Sequence, residues 1–151
     1  MAKVDKIDQN ILSELSKDSS ISIPKLAKKI NVNSSVVYSR IKRLLKNKLI
    51  ERFTIEINNK KIGYGVKSLT GINMDSKQRD NIIQELFKIP GVREVSEVTG
   101  RFDILVTMYA KNLNDMYGIV SDNIGKIDGI IGSESFIEMK TRTKQMPYML
   151  E

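Results

Sequence analysis

The sequence predicts an α+β chain in two parts, and three observations carry that expectation. Three short helical stretches with apolar faces come first, and only the turn Asn31-Val32-Asn33 separates the second from the third; helices joined that tightly make a helix-turn-helix unit. The alternating run Arg52-Phe53-Thr54-Ile55-Glu56-Ile57 follows as a linker strand, which makes the head winged-helix-like. The remainder repeats strand, helix, strand twice, with Ile-Pro-Gly-Val at 89–92 and Ile-Asp-Gly-Ile at 127–130 closing the two helices. The resulting order, βαββαβ, is that of a ferredoxin-like domain, an antiparallel sheet with helices on one face. The expected boundaries are 1–50 for the head, 51–65 for the linker strand and turn, and 66–151 for the second domain.

Each element has a local reason. Asp5 caps the first helix and Asp8 adds negative charge to its first turn, while Ile7, Ile11, Leu12 and Leu15 recur on one helical face. Ser22 and Pro24 start the second helix, whose apolar stripe is Leu26, Ala27 and Ile30. Asn33 caps the third, which runs to about residue 48 with Val37, Ile41 and Leu44 inward and Leu45 beside them. Asn58-Asn59-Lys60-Lys61 is a polar turn, and Gly63 and Gly65 mark the linker. In the second domain, strands are expected at 66–74, 92–98, 103–110 and 131–139. Helices are expected at 76–89, with Ile82, Ile83, Leu86 and Phe87 apolar, and at 112–127, with Leu113, Met116, Tyr117, Val120 and Ile124 on one side. Met74, Met108, Met116 and Met139 read as core or interface filler. The sheet face without helices needs a cover, and a second copy of the chain is the simplest one.

Composition narrows the function. The 151 residues contain no cysteine and no histidine. That excludes disulfides, imidazole-based triads and ordinary zinc sites, and it leans away from catalysis. No cofactor and no metal are expected. No apolar run reaches the roughly 18 residues of a membrane span, and the first ten residues carry no apolar signal segment, so the expected location is the cytoplasm, on the nucleoid. The net charge of +7 is unevenly placed: residues 1–60 hold thirteen basic and six acidic side chains, and residues 61–151 hold twelve of each. A basic head on a neutral body suggests a polyanion-binding module joined to a part with another task.

The third helix supplies the candidate surface. With Val37, Ile41 and Leu44 inward, its outward arc holds Ser35, Tyr38, Ser39, Lys42, Arg43 and Lys46, with Ser34 at its start and no acid among them. Hydroxyl and aromatic groups near the start of such a helix suit base edges in a major groove, and the lysines suit phosphates. Arg40, at the edge of the buried stripe, either braces the fold or touches the DNA backbone. Lys25 and Lys28, with Lys29, add charge on the preceding helix. A merely solvated basic face is the alternative reading.

These residues resemble a known family. The chain is similar over nearly its whole length to the Lrp/AsnC, or feast/famine, transcription regulators. Val4-Asp5-Lys6-Ile7-Asp8-Gln9-Asn10-Ile11-Leu12 matches the family's Leu-Asp-x-x-Asp-x-x-Ile-Leu opening, and Leu26-Ala27 to Ile30 its second helix. Val37-x-x-Arg40-Ile41-x-Arg43-Leu44 matches the recognition helix, Leu49-Ile50 its exit, and Pro90-Gly91-Val92 and Thr99-Gly100-x-x-Asp103 two turns of the second domain. The resemblance implies a DNA-binding head and a ligand-sensing, oligomerising second domain. Its dimers would pair through the sheet and assemble further, commonly to octamers. It also implies an amino-acid or related effector near the Thr-Gly-x-x-Asp turn, with Thr99, Gly100, Arg101, Asp103, Ser133 and Ser135 as candidate contacts. For Gly100 and Asp103 a plain hairpin turn is the equal alternative. Four departures stand out. Arg101 replaces an acidic residue and would favour an anion, Asp128 replaces a proline, Lys48 replaces a glycine, and Ser133 and Ser135 replace threonines.

The expected function is that of a sequence-specific regulator of double-stranded DNA, with two recognition helices reaching major grooves about 34 Å apart. An architectural DNA-coating protein with weak sequence preference is the alternative. An enzyme like the family's sirohaem decarboxylase relatives would need the histidines this chain lacks.

Overall fold

A computed structural model of the chain describes residues 4–144, which divide into two compact units, one built on residues 4–56 and the other on Ile57–Thr141. The division falls inside the segment expected to be the linker.

In the first unit, helix α1 spans Lys6–Lys17, α2 spans Ile23–Ile30 and α3 spans Ser34–Lys46. The Asp5 carboxylate accepts from the backbone N–H of Asp8, and the Asp8 carboxylate accepts from that of Asp5, so the first turn of α1 closes as a reciprocal cap. Ser22 precedes α2 without a side-chain cap, and Pro24 occupies its first turn. Asn31 takes the left-handed conformation, with φ of 54°, between α2 and α3. Asn33 caps α3 by accepting from the Ser35 backbone N–H. Ile11, Leu26, Ala27, Val37 and Leu44 form the buried core, with Ile7, Leu15, Ile30 and Ile41 packed around it.

The linker strand is the main correction. Residues 51–58 enter no hydrogen-bonded ladder, and Phe53, Ile55 and Ile57 stand exposed at 48%, 79% and 50%. Alternation specifies which side chains share a face, but a strand exists only once its backbone groups find a neighbour. A short 3₁₀ turn, Asn59–Ile62, follows and ends at Gly63, whose φ is +99°.

The second unit is a four-stranded antiparallel sheet. Strands β1 (Val66–Met74), β2 (Val92–Glu97), β3 (Ile104–Ala110) and β4 (Ile130–Ile137) lie in the order β2-β3-β1-β4. Helix α4 (Arg79–Lys88) joins β1 to β2, and α5 (Leu113–Gly118) lies between β3 and β4. The expected single helix over 112–127 is broken: α5 passes into a π turn at Ile119–Asn123 and a 3₁₀ turn at Ile124–Lys126. Gly118, Ile119, Val120 and Gly125 are poor helix formers, which lets packing set the local winding.

Ile72, Ile104, Val106 and Met108 from the strands meet Ile82, Leu86, Met116 and Ile124 from the helical layer in one core. Phe87, Leu113 and Tyr117, expected on apolar helix faces, are exposed, and Met139 lies outside β4 and is exposed. Met74, Met108 and Met116 are buried as expected. The repeat is real at the backbone. Gly91 and Gly129 both have positive φ (98° and 89°), and a Cβ at Gly91 would sit 2.4 Å from the Tyr109 carbonyl oxygen. No helix among the described residues is long and apolar enough to cross a membrane.

Candidate nucleic-acid interface

Helix α3 carries two kinds of cation, sorted by α1. Asp8 is wholly buried at 0% exposure, on the same face as Ile11 and Leu15. Arg43 Nη2 is bonded to Asp8 Oδ2, and Arg40 Nη1 lies 3.3 Å from Asp8 Oδ1 and also pairs with Asp5. The Asp8 N–H and the Arg40 guanidinium hold the Asp5 carboxyl below its ordinary value. Asp5 in turn raises the pKa of Arg40. Arg40, 25% exposed, braces α3 against the start of α1. Arg43 stays exposed on the outward arc, at 43%, and pairs from there with the same carboxylate.

The remaining arc stays open. Tyr38 is 49% exposed, and Lys42 Nζ lies 4.5 Å from its ring centroid. That cation–π contact links residues one helical turn apart. Ser35, Ser39 and Lys46 are exposed and Ser34 is half-buried. The Ser35 hydroxyl donates to Asn33 Oδ1 at 3.0 Å, so it is oriented by the cap. Lys25 and Lys28 are exposed on α2, whereas Lys29 is paired with Glu14. No carboxylate among the described residues forms an ion pair with Lys42 or Lys46. A surface of hydroxyls, one aromatic ring and unpaired ammonium groups, anchored from behind by an ion-pair clamp, can meet both phosphates and base edges.

The clamp was missed from sequence, although a signal was present. An aspartate at position 8 shares the stripe of Ile11 and Leu15, and a carboxylate in an apolar stripe needs a partner.

In the second unit the candidate effector residues separate into two groups. Thr99, Gly100 and Arg101 form the exposed turn between β2 and β3, with Gly100 at φ of +132°. Arg101 Nη2 lies 2.7 Å from Glu134 Oε2 and stacks over Phe102, 5.3 Å from the ring centroid. Asp103 secures the turn. Its carboxylate accepts from the Met74 N–H at 2.9 Å, and its own N–H donates to the Ile72 carbonyl at 3.0 Å. These two bonds give Asp103 a place in the hairpin turn. Glu134 lies between Ser133 and Ser135 on β4, so it projects from the opposite face. Ser135 bonds the Thr70 hydroxyl at 2.8 Å, and Ser133 pairs in register with Ile72. The structure thus does not bring the two serines to Arg101.

Residues 4–51 match the winged helix-turn-helix DNA-binding model, and residues 68–148 match the Lrp/AsnC ligand binding domain model. The chain belongs to the Lrp/AsnC family. It is a DNA-binding transcriptional regulator of that type. It is 34% identical to the HTH-type transcriptional regulator LrpA of Pyrococcus horikoshii over 84% of this chain and 90% of that one. It is 29% identical to the HTH-type transcriptional regulator FL11 of Pyrococcus furiosus over 95% and 96% of the two chains. The fold of this Lrp/AsnC regulator is that of Escherichia coli AsnC, with a TM-score of 0.86, 22% identity and coverage of 95% and 97%. A transcriptional regulator of Neisseria meningitidis solved with L-methionine shares it too, with a TM-score of 0.90, 17% identity and 97% of each chain covered.

Proposed function

We propose that this regulator binds double-stranded DNA sequence-specifically, with Ser34, Ser35, Tyr38 and Ser39 facing base edges and Lys42, Lys46, Lys25 and Lys28 facing phosphates. The observation that carries this reading is the sorting of cations on α3: Arg40 and Arg43 are held by Asp5 and Asp8, and the outward lysines have no such partner. The working unit is at least a dimer, assembling further, commonly to an octamer. Its two-fold axis would present two copies of α3 to successive major grooves. The protein acts in the cytoplasm, on the nucleoid.

The second domain senses an amino acid or a related metabolite at the turn holding Thr99, Gly100 and Arg101. The matched ligand-binding domain model supports this, as does the Neisseria relative solved with L-methionine. The ligand acts by favouring one assembly over another, and assembly sets operator affinity. Selection of bound sequences from a random DNA pool, with and without an amino-acid mixture, tests both halves. A single enriched motif that shifts in affinity with the mixture is the expected result. Recovery of unenriched DNA would replace sequence-specific regulation with DNA coating. Tyr38→Ala is expected to alter the selected motif, and an unchanged motif would remove Tyr38 from base contact.

A further inference from the structure

Helix α3 ends in an arrangement whose last residue is unexpected. The Leu49 N–H donates to the Leu44 carbonyl at 2.9 Å and the Lys48 N–H to the Leu45 carbonyl at 3.0 Å, a pair of bonds that satisfies the last carbonyls of a helix. It requires a left-handed residue between them, and that residue is Lys48, with φ of 54°. Glycine takes this conformation without penalty, and asparagine tolerates it through its short polar side chain. The end of α2 shows the tolerated solution, Asn31 at the same φ of 54°, with the Val32 N–H donating to the Ala27 carbonyl at 3.0 Å. Among the described residues Asn31 and Lys48 are the non-glycine residues with positive φ. An asparagine even stands next door: Asn47, at φ of −85°, occupies relaxed backbone that would hold a lysine. The order Asn47-Lys48 is thus the reverse of what the backbone favours.

Attraction to the negative end of the helix does not explain this. Arg43 and Lys46 already place positive charge in the last turn, and a lysine at 47 would add more without strain. Lys48 is exposed, and no carboxylate among the described residues pairs with it. Along the chain it follows the unpaired ammonium groups at Lys42 and Lys46, two residues past the end of α3. We propose that Lys48 is a DNA-phosphate ligand at the trailing end of the recognition helix, held at a strained position because its charge meets the duplex. The inference rests on the DNA-binding function of the head and extends it by one contact.

The test is the salt dependence of binding of the full chain to a mixed-sequence duplex between about 50 and 200 mM salt. Lys48→Gly and Lys48→Asn are expected to lower the slope of log affinity against log salt by about 0.9 each, so their affinity loss over that range is about 3-fold smaller than that of the native chain. Lys48→Arg keeps the native slope. Lys48→Gly should also melt no lower than the native chain, and up to about 4 °C higher, which separates lost contact from lost fold. A native slope in both Lys48→Gly and Lys48→Asn would overturn the proposal. A native chain without salt-dependent binding would overturn the function on which it rests as well.

Discussion

Asp8 sets the division of labour among the cations of α3. A carboxylate removed from water needs charge partners, and Arg40 and Arg43 supply them. Asp8→Ala leaves Arg43 without its carboxylate and Arg40 with Asp5 alone, and it is expected to destabilise the head by about 3 kcal/mol in urea unfolding. Both arginines remain partly exposed, so the loss should fall toward the lower end of the range for a buried pair. Lys42→Ala and Lys46→Ala should do the opposite. Each is expected to leave stability within about 0.5 kcal/mol and to lower the salt slope of DNA binding by about 0.9. An unchanged slope in both would remove α3 lysines from phosphate contact.

At the level of elements, the helix caps and turns were the most legible features, because they depend on residues a few positions apart. Asp5, Asn33, Pro24, Gly91 and Gly129 all do what short-range chemistry predicts for them. The cap of α1 brings a pH dependence with it. The folded Asp5 carboxyl lies below its ordinary value of 3.8, so its stabilising bonds are fully present above that range and fade as pH falls through the folded value. Acid unfolding followed by helical circular dichroism should therefore be less steep below about pH 4 in Asp5→Asn than in the native chain, because the amide caps without ionising. Periodicity misled where an element's neighbours decide the outcome. Phe87, Leu113 and Tyr117 fit an apolar stripe by spacing but stand outside the core, and α5 gives way to a π turn that re-phases the residues after it. The run from 52 to 57 has the alternation of a strand and enters no ladder among the described residues.

For the molecule as a whole, the sheet of the second unit leaves apolar side chains open on the face of Gly71 and Leu69. Gly71 lies flat beneath the Phe102 ring, which fills the space a Cβ would need, and Phe102 meets Phe136 edge to face with ring centroids 6.5 Å apart. Leu69 and Phe136 remain 41% and 48% exposed on a sheet whose other face carries the core residues Ile72, Ile104, Val106 and Met108. An apolar patch of that kind favours association. Phe136→Glu is expected to reduce the assembled mass, read by sedimentation velocity, while leaving the circular dichroism of the chain unchanged; an unaltered mass would place the interface elsewhere. The helices of the head, the chain order βαββαβ, the turn glycines and the basic head are readable along the chain, since each depends on spacing, capping chemistry or net charge over neighbouring residues. Which arginine meets Asp8, why Arg101 and the two serines of β4 point to opposite faces, and whether residues 52–57 acquire a ladder are of another kind. Those outcomes follow from groups distant in sequence meeting in space, where burial, register and backbone pairing choose between options that local pattern leaves equal.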